Sequence, residues 1–196
     1  MIMIFLIPLI VVIGVALYAV SVYNFLASAK VRIKAAIQEI GNQLKRQAEL
    51  IPNLIEATKG YMKHEKEIFE MLSKARQKVD SAVKSGKVSD MVLANDSLVK
   101  MIPQLTATFE SNPEIKASEV VKDLMSNLTD TSDKVSYSRR LLIDLTADYN
   151  AKLVTVPSSF VAGLFGFKAE EGLKMLDAGL SLEVSVNEVK TPKVSL

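Results

Sequence analysis

The side chains able to do chemistry are few, and their spacing does not suit it. The chain has one histidine, His64, and no cysteine. A His/Cys zinc site and a cysteine nucleophile therefore cannot be assembled within one chain, and neither can a disulfide framework; any Ser-His-Asp triad would have to be built on His64. His64 stands beside Glu65, but neighbours in a helix point to different faces, so the pair reads as a helix surface. Ser138 and Ser158 have no recognisable base, and Gly-x-Ser-x-Gly is absent. Gly163 and Gly166 lack the Gly-Lys-Ser/Thr ending of a phosphate loop. Asn95-Asp96-Ser97 and Asn127-Leu128-Thr129 match a glycosylation sequon, yet both lie inside helical patterns. A net charge of +2, with no basic stripe interleaved with aromatics, gives no reason to expect nucleic acid. No cofactor, metal or small-molecule substrate is expected, and the chain is not expected to be an enzyme.

What remains is a set of polar side chains suited to pairing. Lys45-Arg46-Gln47-Ala48-Glu49 with Asn53 is the densest polar stretch near Pro52. Arg139, Arg140, Asp144, Asp148 and Asn150 form a matching set later on. If these helices are neighbours, Arg46 can pair with Asp144, or Glu49 with Arg139. Such ion pairs fix register more readily than they add net stability. The functional alternative is a polar groove that docks a peptide or a partner.

The elements that position these residues begin with MIMIFLIPLIVVIGVALYAVSVYNF. Residues 2–23 carry no charge. As a helix they span roughly 33 Å, against about 30 Å of bilayer hydrocarbon. Tyr18 and Tyr23 sit at one end, where amphipathic rings favour the headgroups. A secretory signal wants leading positive charge and a shorter apolar core; neither is present, although Ala27-Ser28-Ala29 has the small-residue pattern of a cleavage site. Lys30, Arg32, Lys34, Lys45 and Arg46 put the following domain on the cytoplasmic side by the positive-inside rule. The expectation is a single-pass anchor with its N-terminus outside.

Beyond it, Val31, Ile33, Ile37, Ile40, Leu44, Ala48 and Ile51 make an amphipathic stripe continuous with the anchor. Pro52 disfavours helix at and before itself, yet the stripe resumes in phase through Ile55, Met62, Ile68, Leu72 and Val79. Pro52 either kinks one long helix or starts a second; helix length favours the second. Gly86 suits a helix C-terminus, and Ser89 or Asp90 can cap the next helix. That helix carries Val92, Asn95, Leu98, Val99, Ile102, Leu105 and Phe109, with Pro103 inside it. Asn112-Pro113-Glu114 reads as a connector and restart. Residues 115–153 then hold helical spacing with neither Gly nor Pro, until Pro157 stops it. Phe160, Val161, Leu164, Phe165 and Phe167 form a short, Gly-interrupted apolar segment. It is expected to cap the open end of the bundle; the alternative is a lip touching membrane or partner. The pattern gives an all-α chain, with a single N-terminal transmembrane helix (1–25), an up-and-down helix bundle (26–168) and an extended or disordered tail (169–196).

The bundle sequence also resembles the LemA family. The resemblance rests on Gln43-Leu44-Lys45-Arg46-Gln47-Ala48-Glu49-Leu50-Ile51-Pro52-Asn53-Leu54, Lys59-Gly60-Tyr61, His64-Glu65 and Ala75-Arg76. It continues through Asn112-Pro113-Glu114-Ile115-Lys116-Ala117, Asp130-Thr131, Tyr137-Ser138-Arg139-Arg140, Asp148-Tyr149-Asn150, Val156-Pro157, Gly166-Phe167 and Pro192-Lys193-Val194. It implies a bacterial membrane anchor followed by a four-helix bundle, hence two helices about Pro52. It implies no activity, cofactor or catalytic residue. Family members often occur near membrane metalloproteases or TPM-domain proteins, an association with envelope maintenance. Leu141-Leu142-Ile143 stand where the family usually has an aromatic pair and Asn, and Pro103 falls where relatives continue a helix, so a bent or shortened third helix is expected. The reading is a non-enzymatic adaptor or scaffold of the inner membrane with a protein partner or self-association. The alternative is a regulator or accessory subunit of a membrane protease.

Overall fold

The computed structural model describes residues 2–59 and 66–170, with side chains over 6–59 and 69–170. His64, Glu65 and the tail from residue 171 lie outside the described residues. The described chain is helical, with no strand: α1 (Ile2–Thr58), α2 (Lys66–Ser85), α3 (Val88–Ser111), α4 (Pro113–Ala117), α5 (Glu119–Val154) and α6 (Ser158–Leu164). Helices α1, α2, α3 and α5 pack up-down-up-down as a four-helix bundle.

Its seam is set by α1. Val22, Leu26, Ala29, Ile33, Ala36 and Ile40 are buried at alternating steps of four and three, and Leu44, Gln47, Ile51, Leu54 and Thr58 continue the seam. This is a heptad pattern with one extra four-residue step, between Ile40 and Leu44. That step falls where α3 first meets α1, since a Cβ on Gly41 would lie 3.9 Å from Met91 Cε. At 1.5 Å per residue α1 is roughly 85 Å long, α5 about 54 Å, and α2 and α3 only about 30 and 36 Å. The four-helix section therefore includes only the C-terminal third of α1. Below Gly41 a stalk continues, in which α5 and α6 cover α1. Helix α5 follows α1 down to Phe25, whose ring centroid is 5.6 Å from Lys152 Nζ. Beyond that level Leu6, Ile7, Leu9, Val12, Val15 and Leu17 are exposed. This part of α1 is long and apolar enough to cross a membrane, and its exposure separates it from a buried core helix.

Several expectations are corrected. Helix α1 runs unbroken through Pro52, so neither a restart there nor the two helices implied by the resemblance is present. Losing one backbone bond and accommodating the ring costs about 3 kcal/mol; burying Ile51 and Leu54 returns about 1.5–3 kcal/mol each. The chain leaves the helix only after Thr58. Pro103 likewise sits inside an uninterrupted α3. It is exposed, as is Val99 one turn earlier, so the carbonyl freed by the missing N–H faces water. Helix α3 is N-capped by Lys87 without a side-chain bond, which leaves Ser89 and Asp90 in its first turn.

The run at 115–153 is two helices. Asn112 Oδ1 accepts from the amides of Glu114 and Ile115 to start α4. Ser118 ends α4 and caps α5 through Val121 N–H. Ile115 and Val121 are both buried, yet six residues on one helix would set them about 120° apart; extended geometry at Ser118 resets the phase. Val31, assigned to the stripe, is 70% exposed. In the departure from the family pattern, Leu142 enters the core while Leu141 and Ile143 stay half-exposed.

Candidate functional site

The polar residues named from sequence do not converge. Gln47 of α1 meets Ser132 of α5, while Phe25 meets Lys152, which fixes the antiparallel register. Asp144 then lies about 18 Å down the axis from the level of Arg46, and Arg139 about 15 Å from that of Glu49. Neither expected pair forms. Arg46 Nη2 instead donates to Asn127 Oδ1 at 3.4 Å. Arg139 pairs with Asp96 of α3, Nη1 to Oδ2 at 3.3 Å, so it ties α5 to α3 and not to α1. Glu49, Asn53, Arg140, Asp144 and Asp148 are exposed. Asn150 has a role no spacing announced. Its Nδ2 donates to the Glu170 carbonyl at 2.9 Å, and its Oδ1 accepts from the Glu170 amide at 3.1 Å.

Two constellations stand out. The first is a polar layer inside the bundle. Gln47 is 0% exposed and occupies a seam position between Leu44 and Ile51. Its Nε2 donates to Asn95 Oδ1 of α3 at 2.9 Å and to Ser132 Oγ of α5 at 3.0 Å. Asn95 Nδ2 reaches the Ser132 carbonyl and Ser136 Oγ at 3.5 Å. Gln47 Oε1 has no partner among the described residues. One amide thus links three helices, and only one axial register satisfies all its contacts. Burial of Asn95 also closes the first sequon. Sequence did signal Gln47, at three residues past Leu44 and four before Ile51, but the charges around it hid the signal.

The second is a clamp on the stalk. Tyr149, fully buried, donates its hydroxyl to the Lys168 carbonyl at 2.8 Å, and Lys30 Nζ meets Glu170 Oε1 at 3.0 Å. With the two Asn150 bonds, these lay residues 167–170 back along α1 and α5. The Glu170 hydrogen bond and charge raise the Lys30 pKa, and burial raises that of Tyr149. Beside the clamp, α1 and α5 leave an open groove of about 630 Å³. Exposed Tyr137, with Leu141, Arg32 and Glu39, lines it. Among the described residues, no three acidic or histidine side chains are grouped to hold a metal.

Seam, buried amide layer and groove define the chain as a helical-bundle protein built on one membrane-length helix. It belongs to the LemA family, whose sequence model matches residues 36–187. No curated protein matches it.

Proposed function

We propose that the protein is a single-pass, non-enzymatic adaptor or scaffold of the bacterial inner membrane, with the N-terminus outside and the bundle in the cytoplasm. The supporting observation is that α1 runs from its exposed apolar half into the bundle seam without a linker. A bundle on such a rod is held at fixed height and orientation above the bilayer, which suits positioning a partner. The groove beside Tyr137 is the surface offered to that partner, and the basic residues from Lys30 to Arg46 favour the cytoplasmic side. Crosslinking in native membranes, read by mass spectrometry, tests the reading. Crosslinks from Lys134 beside the groove to another protein are expected; self-crosslinks alone overturn the adaptor in favour of a homomeric structural role. Crosslinks to a membrane protease would recast the protein as its regulator. Because the chain lacks cysteine, Ser111→Cys labelled in spheroplasts fixes orientation: no labelling by an impermeant maleimide is expected before lysis.

A further inference from the structure

Helix α6 has apolar residues on both faces. Val161 and Ala162 are buried against α1 and α5, while Phe160 is 74% and Leu164 80% exposed, one turn apart on the opposite face. Val154, Val156 and Phe165 extend this exposed face. The exposed apolar residues of the bundle, such as Leu93, Val99 and Val120, are scattered singly, which is ordinary. A helix with large apolar residues on both faces needs cover on both sides.

The position of α6 says what covers it. Tyr23 lies edge-on to Phe165 and Phe167, with centroids at 4.9 and 5.6 Å, so the end of α6 stands level with Tyr23. Lys30, the first charge on α1, is about 10 Å further along. The exposed face is therefore continuous with the part of α1 that the reading above places in lipid. Its height is that of the headgroup and upper acyl region. The local chain holds α6 there firmly. Phe167 N–H donates to the Ala162 carbonyl and Gly166 N–H to the Gly163 carbonyl, a C-terminal turn that needs the +70° φ of Gly166. The next residues enter the clamp. Exposed Lys152 and Lys168 flank the patch, and long cationic side chains can reach headgroups from there.

We propose that α6 and residues 154–156, where α5 ends, insert into the headgroup–acyl boundary beside α1. They form a second, shallow membrane contact that sets the tilt and height of the stalk. The inference rests on α1 being the anchor, and the test separates the two. The chain has no Trp, so Phe160→Trp, Leu164→Trp, Val12→Trp and Val120→Trp each carry one emitter in the full-length protein. Each is reconstituted in vesicles of lipids brominated near the headgroup or near the chain end. Phe160→Trp and Leu164→Trp should be blue-shifted and lose most intensity with the shallow bromines, Val12→Trp with the deep ones, and Val120→Trp with neither. If the two α6 variants match Val120→Trp while Val12→Trp is quenched, the second contact is wrong and the anchor stands. Loss of Val12→Trp quenching overturns both. Blue-shifted but unquenched α6 emission assigns the cover to protein and overturns the lipid contact. Should either α6 variant fail to fold, Val156→Trp reads the same face.

Discussion

The bundle and the stalk share α1 and α5 but are stabilised differently. In the bundle, four helices close around large side chains such as Leu44, Leu98, Leu105 and Leu128, and a buried amide interrupts them. In the stalk, α1 offers Ala29 and Ala36 between Leu26, Ile33 and Ile40, so α5 can approach closely. Its polar contacts sit at the edge of that seam, where Lys30, Tyr149 and Asn150 hold a returning segment. An enclosed core tolerates a polar layer once it is hydrogen-bonded, and the layer then dictates register. The stalk substitutes small residues and a peripheral clamp.

The comparison can be broken most severely from the bundle side. Leu105→Ala removes a fully buried side chain of α3 and should cost about 2–5 kcal/mol in denaturation of the detergent-solubilised chain. Next comes Asn95→Ala, which strips the Gln47 amide of one acceptor inside the core and should cost about 1–3 kcal/mol. Gln47→Leu combined with Asn95→Leu should recover much of that loss while relaxing register. A double variant as unstable as Asn95→Ala would mean that the layer stabilises the bundle outright.

The sequence made the helices legible, but not their mutual heights. Gly86, at a φ of +68°, and the Asn112-Pro113 restart act through local backbone chemistry, so they could be read directly. Pro52 and Pro103 misled because their local penalty competes with burial of Ile51, Leu54 and Leu105, which only the folded bundle supplies. The break at Ser118 is hidden within a continuous helical pattern, because it serves the phase between Ile115 and Val121, a tertiary demand. The candidate site fared worse for one reason. Charge alone matches Arg46 to Asp144 and Glu49 to Arg139, whereas partners are set by register, and register is set by Gln47. Asn150 differs from them: it holds the returning segment at Glu170 through both atoms of its amide.

On the stalk side the effects are smaller and local. Tyr149→Phe keeps the buried ring and loses only the bond to the Lys168 carbonyl, about 0.5–1.5 kcal/mol. Hydrogen exchange at the Glu170 amide should quicken while the bundle melts as before. Alkali should mimic this variant. Folded Lys30 and Tyr149 both have raised pKa values, so their contributions are complete below the unfolded values and lost as pH rises through the folded ones. The clamp should hold at neutral pH and loosen above about pH 10. Spin labels on Ser28→Cys and Ala169→Cys in one chain should show a broadened distance there, whereas a pair across the bundle should not.

The smallest effect sharpens the comparison most. Arg139 and Asp96 form the half-exposed pair between α5 and α3, at the level where bundle gives way to stalk. Solvent screening limits such a pair to about 0.2–1 kcal/mol, so Arg139→Ala should hardly move the melting temperature. Its added salt sensitivity should be equally slight. If Arg139→Ala instead cost as much as Asn95→Ala, the bundle would owe its register to charge at its rim, and the division between a buried amide layer and a peripheral clamp would fail. With the expected small loss, register belongs to Gln47, and the exposed Glu49, Arg140, Asp144 and Asp148 carry no part of it.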